Sequence, residues 1–216
     1  SKRIPNKNIK KLKTKPLIQH TIDFAKKIFN QSDIFLSSDS EIALDIGIKN
    51  NINIHKRPKI YAEDETSMID TTKDFLEFYK FNEDDNLVLL QPTNPIRSVS
   101  FFKDLKQLFE ANKKASSAIS LVKCSFFHPS KIGVLNDKNY FNTLDNIPLQ
   151  DNIDNHKKIP YYVISGTYYI VPISKLKETN SFVGPNPVAL IEEESKFCNI
   201  DTPADFAVAE FLVNDI

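Results

Sequence analysis

The stretch that most narrows the fold is Leu87-Val88-Leu89-Leu90, four aliphatic residues in a row with helix-period sequence on both sides. A run this short and this apolar reads as a fully buried strand, and such strands occur where helices cover both faces of a parallel sheet. Upstream, Asp70 to Tyr79 has helical spacing, and downstream Phe101, Phe102, Leu105, Leu108 and Phe109 form the apolar stripe of another helix. The same alternation runs along the chain. Ile18, Ile22, Ala25 and Phe29 recur at helical spacing, then come strand Ile34-Phe35-Leu36, a helix over Asp39 to Lys49, and strand Ile52-Asn53-Ile54. Ala118 to Val122, Thr167 to Val171 and Val188 to Ile191 read as further strands, with Thr202 to Val213 as a closing helix. This order predicts an α/β fold with a mostly parallel sheet.

From Ser125 to Tyr162 the periodicity weakens into short apolar pairs separated by Asn, Asp, Pro and Lys. That pattern predicts hairpins outside the main sheet. The 216 residues, 41% of them hydrophobic, suffice for a single domain spanning 1–216 with an inserted lobe at 125–162.

Lys and Arg number 28, as do Asp and Glu, so no general attraction to nucleic acid or to an anionic membrane is expected. Any anion site must come from a local cluster. No apolar run approaches the roughly 18 residues of a membrane span, and the basic, polar start is unlike a secretory signal. The expected setting is soluble and cytoplasmic. Cys124 and Cys198 lie far apart, without a CxxC pair or a histidine at metal-ligand spacing, and read as ordinary thiols.

Two segments carry chemistry on their own terms. Ser1-Lys2-Arg3-Ile4-Pro5-Asn6-Lys7-Asn8 concentrates cations ahead of the first helix, where Lys2, Arg3 and Lys7 could neutralise a triphosphate and a departing pyrophosphate. A solvated basic terminus explains the same run. Gln91-Pro92-Thr93-Asn94-Pro95-Ile96-Arg97 directly follows the strand Leu87 to Leu90. Ligands bind beyond the carboxyl ends of strands in open α/β sheets, and two prolines stiffen a polar loop there. A turn leading to a helix capped by Ser98 accounts for it equally. Asp39, between strand and helix, reads as a capping residue. His20 and His55 read as packing residues, while His128 and His156 fall in the irregular segment.

Together with Ser37-Ser38-Asp39-Ser40, Arg57-Pro58 and Asn199-Ile200-Asp201-Thr202-Pro203, these segments recur in a familiar order. Over nearly its whole length the chain resembles the CMP-sialic acid synthetase (acylneuraminate cytidylyltransferase) family, which includes enzymes for legionaminic and pseudaminic acids and, more distantly, the CMP-KDO synthetases. Members usually open with a strand and an Ala-Arg-x-Gly-Ser-Lys loop ending in Lys-Asn. This sequence starts within such a loop and keeps Lys7-Asn8, so a segment is expected to precede Ser1.

The resemblance implies a Rossmann-like nucleotidyltransferase that joins CTP to an acidic 2-keto-3-deoxy sugar with Mg²⁺. It puts Ser1, Lys2, Lys7 and Asn8 at the nucleotide, and Arg57 and Ser67 near the cytosine or its ribose. Ser67 is as good a helix cap as a ligand contact. Gln91 and Thr93 would face the sugar, and Arg97 would either join the site or anchor the loop. Asp201 precedes a well-formed helix start, with Thr202 as cap and Pro203 in the first turn, and is left to hold Mg²⁺. Family members usually carry aspartate at the position of Asn199, whose amide oxygen can also ligate the ion. Lys2, Lys7 and Asp201 are the candidate catalytic residues. The resemblance further implies a homodimer formed by the 125–162 lobe, whose Phe126, Phe127, Tyr140, Phe141, Ile147, Leu149 and Ile153 have no periodic host element. The alternatives are a CMP-KDO synthetase, another sugar nucleotidyltransferase, or a non-catalytic nucleotide- or sugar-binding relative.

Overall fold

The computed structural model describes residues 3–63, 65–124, 128–144 and 160–213. A short hairpin, β1 (Lys11–Leu12) and β2 (Lys15–Pro16), leads into α1 (Leu17–Ile28). Then follow β3 (Phe35–Ser38), α2 (Glu41–Lys49), β4 (Asn53–Lys56), α3 (Met68–Tyr79), β5 (Asn86–Leu89), α4 (Val99–Ala111) and β6 (Ser117–Lys123). The hairpin β7 (Gly133–Leu135) and β8 (Phe141–Thr143) precedes β9 (Tyr162–Pro172), α5 (Ile173–Thr179), β10 (Pro187–Ile191) and α6 (Pro203–Leu212). The hairpin β1–β2 and helix α5 are too short for a periodic signal.

Helices α2, α3, α4 and α6 each begin where a small oxygen-bearing side chain satisfies an orphan N–H, whereas α1 is entered through Pro16 without a side-chain cap. Ser67 accepts from Asp70 N at 3.0 Å and Ser98 from Phe101 N at 3.3 Å. Thr202 and Asp205 form a reciprocal capping box around Pro203 at the start of α6. At α2 the cap is Ser40, accepting from Ala43 N at 3.4 Å, and not Asp39 as the sequence suggested. Asp39 lies one residue outside the helix, where its charge acts on the Arg57 guanidinium.

Strands β10, β6, β9 and β5 make a four-stranded sheet in that order. β10 runs parallel to β6, and β9 is antiparallel to both of its neighbours, so β5, β6 and β10 share one direction. β3 and β4 form a separate parallel pair. The mostly parallel reading therefore holds, with β9 as the exception. A parallel strand needs a crossover to bring the chain back to its starting edge. Between β6 and β9 the described chain folds as a 3₁₀ turn (Pro129–Lys131) and the β7–β8 hairpin, outside the sheet, and β9 re-enters reversed.

Between β3 and β5 no ladder forms among the described residues; a cavity of about 710 Å³ lies there instead, walled by α1 through Ile18, Ile22 and Ala25 and by α3 through Thr71 and Phe75. This corrects the expectation of a fully buried Leu87 to Leu90 strand. β5 is only half-buried because one edge faces that cavity. Elsewhere the core is tight. Phe24, Phe102, Leu105, Ala118, Tyr168 and Ile170 pack α1 and α4 onto the sheet, while Ile4, Leu12, Leu17, Ile96, Ile200 and Phe206 tie the N-terminal segment to α6 and to the loop after β5.

In the hairpin, Val134, Leu135, Tyr140 and Phe141 are exposed, as are Tyr162, Val163 and Ile164 where β9 begins. Phe126, Phe127, Ile147, Leu149, Ile153 and His156 lie outside the described residues.

Candidate functional site

Three segments far apart in sequence meet beyond the carboxyl end of β5. Ile4 is buried in the cluster with Ile200 and Phe206, which pins the basic N-terminal segment against the far end of the chain. Lys10 Nζ sits 4.6 Å from the Phe206 ring centroid, adding a cation–π contact. Asn6 turns the backbone through a left-handed conformation (φ 54°), and Lys7 then reaches across. Its Nζ donates to Ile200 O at 2.6 Å and to Asp201 Oδ1 at 3.2 Å. Asn199 Nδ2 donates to the other carboxylate oxygen of Asp201 at 2.9 Å. Ile200 N donates to Thr93 O at 2.8 Å, which joins this strap to the loop 91–97.

Asp201 is the accessible member of the group, with 48% of its side chain exposed against 10% for Lys7. Asp205, a turn further on, is committed to structure. Burial works to raise its carboxyl, but hydrogen bonds from Asp201 N and from the N–H and hydroxyl of Thr202, with Lys7 nearby, outweigh that and lower it. Cys198 is buried, which raises its thiol to about 11 and leaves it protonated at neutral pH.

The loop 91–97 is locked to a bulge in β9. The pairing of β6 with β9 is irregular between Ile119 and Leu121, and residues 165–168 of β9 bow outward there. Gly166, at φ +76°, lies so near the loop that a Cβ would stand 3.2 Å from Gln91 Oε1. Asn94, buried between its two prolines, donates from Nδ2 to Gly166 O at 3.3 Å and leaves Oδ1 buried without a hydrogen bond. Arg97 is half-buried beneath the loop. Its Nη2 donates to Gln91 O at 2.7 Å, Nη1 to Thr21 Oγ1 at 2.9 Å and Nε to Thr167 O at 3.3 Å. Burial lowers its pKa to about 10, so it stays charged at neutral pH. Tyr168 accepts from Ser98 N at 2.9 Å and donates to Ser98 O at 3.2 Å, joining the bulge to the start of α4. Behind it, Ser165 donates to Glu192 and lies 2.6 Å from Ser120 Oγ.

The candidate residues therefore divide. Lys7, Asn199 and Asp201 form one contact group, to which Thr93 is linked through its carbonyl. Asn8, Arg57 and Gln91 line the cavity with Ser37, Ser38 and Asp39. Arg57 Nη2 donates to Ser37 O at 3.0 Å; burial lowers its pKa, against which Asp39 and Asp74 act. Ser67 is exposed and serves as the cap of α3, its hydroxyl 2.7 Å from Asp70 Oδ2. Ser1 and Lys2 lie outside the described residues. Arg97 holds the loop from beneath. The sequence reading passed over Asn94, Gly166 and Glu192. Asn94, a polar residue set against a proline directly beyond a strand, and Glu192, a carboxylate just past β10, were the available signals.

Among the described residues no group of three or more His, Cys, Asp or Glu gathers as a metal cluster. The donor set at Asp201 still suits Mg²⁺. This ion takes hard oxygens and is commonly held by one or two carboxylates with substrate phosphates completing its shell. The half-exposed carboxylate of Asp201 and the amide of Asn199 provide that minimum.

The arrangement suits ligand binding at strand ends in an α/β fold: Lys7, Asn199 and Asp201 form one contact group, and Asn8, Arg57 and Gln91 line the cavity. The chain belongs to the cytidylyltransferase family, whose model matches residues 1–177. It is 29% identical over 208 residues to an N-acylneuraminate cytidylyltransferase of Streptococcus agalactiae, a match covering 95% of this chain and 49% of that one. The chain thus spans about half the length of that relative. It is also 29% identical over 219 residues to the CMP-N,N'-diacetyllegionaminic acid synthase of Legionella pneumophila, covering 99% and 91%. A solved structure of CMP:2-keto-3-deoxy-manno-octonic acid synthetase complexed with CTP superposes with a TM-score of 0.69 at 15% identity, over 100% of this chain and 94% of that one. At that identity the likeness establishes the fold, and it agrees with the sheet expected from sequence.

Proposed function

We propose that the chain transfers CMP from CTP to the anomeric hydroxyl of a nonulosonic, sialic-acid-like sugar and releases pyrophosphate. The observation that carries this reading is the convergence of Lys7, the loop 91–97 and Asp201 beyond β5, in a chain of the cytidylyltransferase family. The anomeric oxygen attacks the α-phosphorus, the bond to the bridging oxygen breaks, and the electron pair leaves with pyrophosphate. Such a transfer needs positioning and charge neutralisation and no covalent enzyme intermediate. Lys7, whose Nζ lies beside Asp201, would neutralise phosphate charge, with Lys2 the second candidate by sequence. Asn8 and Arg57 line the side of the cavity assigned to the nucleotide and Gln91 the side assigned to the sugar, with Thr93 two residues further along the same loop. Asp201, with Asn199, would hold Mg²⁺, which when bound neutralises phosphate oxygens and polarises the α-phosphate. The proposed setting is the cytoplasm. The test is pyrophosphate release from labelled CTP with a panel of nonulosonic acids and KDO. Turnover with KDO alone points to the octulosonic branch, and binding without turnover to a non-catalytic relative.

The preferred sugar is proposed to differ from N-acetylneuraminic acid. Val163-Ile164-Ser165-Gly166 stands where the family's sialic acid enzymes usually carry Arg-Pro-Asn-Gly, so a cationic fork and an amide are absent. Glu192 and Ser120 engage Ser165 at that place. A missing hydrogen-bonding pair in a built site discriminates by several kcal/mol, roughly. The expected result is a kcat/KM for N-acetylneuraminic acid below that for another member of the panel; the reverse order removes the idea.

A homodimer through the lobe is also proposed. Val134, Leu135, Tyr140, Phe141, Tyr162 and Val163 expose apolar surface on the hairpin and the start of β9. Sedimentation is expected to give twice the chain mass at micromolar concentration, and Phe141→Asp to shift it toward monomer. A wild-type monomer at that concentration rules the dimer out.

A further inference from the structure

His55 stands out among the buried groups that the proposed reaction does not use. It is 1% exposed, pairs in register with Ser37 across β3 and β4, and is packed by Phe75, Phe78 and Tyr79 of α3. Its Nδ1 lies 2.9 Å from Ser37 Oγ and its Nε2 3.3 Å from Asp74 Oδ2. A neutral imidazole has one proton to give. Asp74 Oδ2 is buried without a hydrogen bond, and a proton on Nε2 is the arrangement that faces it with a donor, leaving Nδ1 to accept from the Ser37 hydroxyl. A hydroxyl that gives its proton to His55 presents lone pairs alone to the cavity that Ser37 lines. The carbonyl of the same residue receives Arg57 Nη2. Arg57 Nε and Asp74 Oδ2 remain buried without hydrogen bonds on either side of this line.

We propose that His55 is a positioning residue for the nucleotide: through Ser37 it fixes an acceptor on the cavity wall and steadies the Arg57 guanidinium beside it. The inference rests on reading this end of the cavity as the nucleotide site. Protonation of His55 turns Nδ1 into a donor, forces the Ser37 hydroxyl to turn its hydrogen outward, and sets a cation beside Arg57. The charged and titratable groups facing the ring are Asp74 and Tyr79 from α3 and Arg57 from beyond β4, with Asp39 acting on Arg57. Burial lowers the pKa of His55, Asp74 opposes this and Arg57 adds to it, so the ring is neutral at pH 7.

The test is CTP binding by calorimetry to wild type, His55→Asn and Ser37→Ala between about pH 7.5 and about pH 5.5, the range over which a histidine switch acts. The titration of the CTP phosphate is common to all three proteins and cancels in the ratios. Asparagine keeps a hydrogen-bonding group near the Nδ1 position and cannot titrate. Because burial lowers the ring's pKa, it is only partly charged at the acid end of this range, and wild-type affinity is expected to fall severalfold further than that of either variant, approaching the roughly tenfold scale of one lost hydrogen bond only at full protonation. In turnover the change is expected in KM more than in kcat. If His55→Asn fails to fold, Ser37→Ala, which leaves the ring in place, decides alone. Parallel pH slopes in wild type and the folded variants overturn the proposal. Wild type that binds no CTP at either pH overturns the functional reading, and the imidazole ¹⁵N signals separate the two failures. A proton on Nε2 at neutral pH is expected with or without CTP, and one on Nδ1 overturns the role of His55.

Discussion

Asp201→Ala is expected to lower CMP-sugar formation by at least about 10³-fold while leaving the fold intact, because it removes the one accessible carboxylate of the Lys7–Asn199–Asp201 group. The stability cost should be small. Its ion pair with Lys7 has one half-exposed partner, and such pairs contribute about 0–1 kcal/mol. Lys7 keeps its hydrogen bond to Ile200 O, and the capping box of α6 is made by Thr202 and Asp205. The variant therefore separates chemistry from folding: thermal melting should move by no more than a few degrees while pyrophosphate release disappears. Asn199→Asp tests the same site in the other direction. A second carboxylate beside the first raises the local negative charge, so half-maximal activity should require less Mg²⁺. Near-normal turnover by Asp201→Ala at low millimolar Mg²⁺ would remove Asp201 from the mechanism.

How far the sequence could anticipate this site depended on whether a residue acts through its neighbours in the chain or through partners far away. Local rules carried the helices: the spacing of Ile18, Ile22 and Ala25 placed α1, and the order Thr202-Pro203-Ala204-Asp205 placed the start of α6, because each depends on contacts within a turn or two. The reading of Asp39 as the cap of α2 failed because Ser40, equally suited to the role, stands one residue later; Asp39 instead acts on Arg57, to which no local pattern connects it. The reversed course of β9 and its bulge were illegible for the same reason. An alternating strand looks alike in either direction, and the bulge exists to bring Gly166 and Thr167 against Asn94 and Arg97, about 70 residues earlier. His55 was read as a packing residue, which its aromatic surroundings support; its hydrogen bond to Ser37 depends on the register of β3 with β4.

Arg97→Met is expected to be the most destabilising single change at the site. Burial penalises the charge of this half-buried guanidinium, and its three hydrogen bonds fix separate pieces of the chain: the end of β5 through Gln91 O, the β9 bulge through Thr167 O, and α1 through Thr21 Oγ1. Methionine fills part of the volume but leaves those acceptors buried and unpaired, with Thr167 Oγ1 and Asn94 Oδ1 already lacking partners nearby. Each acceptor left buried and unpaired costs about 1–3 kcal/mol, so three of them together cost about 3–5 kcal/mol after partial relaxation. For a chain of this size that lowers Tm by roughly 10 °C, at about 2–4 °C per kcal/mol. Arg97→Lys should fall between, since an ammonium keeps the charge but cannot reach three acceptors in the plane of a fork. Because the same bonds orient the loop that carries Gln91 and Thr93, the surviving folded fraction should show a raised KM for the sugar with a smaller change for CTP. A melting temperature within about 2 °C of wild type for Arg97→Met, well short of the shift expected for a buried charged anchor, would mean that Asn94 and Tyr168 hold the loop without it.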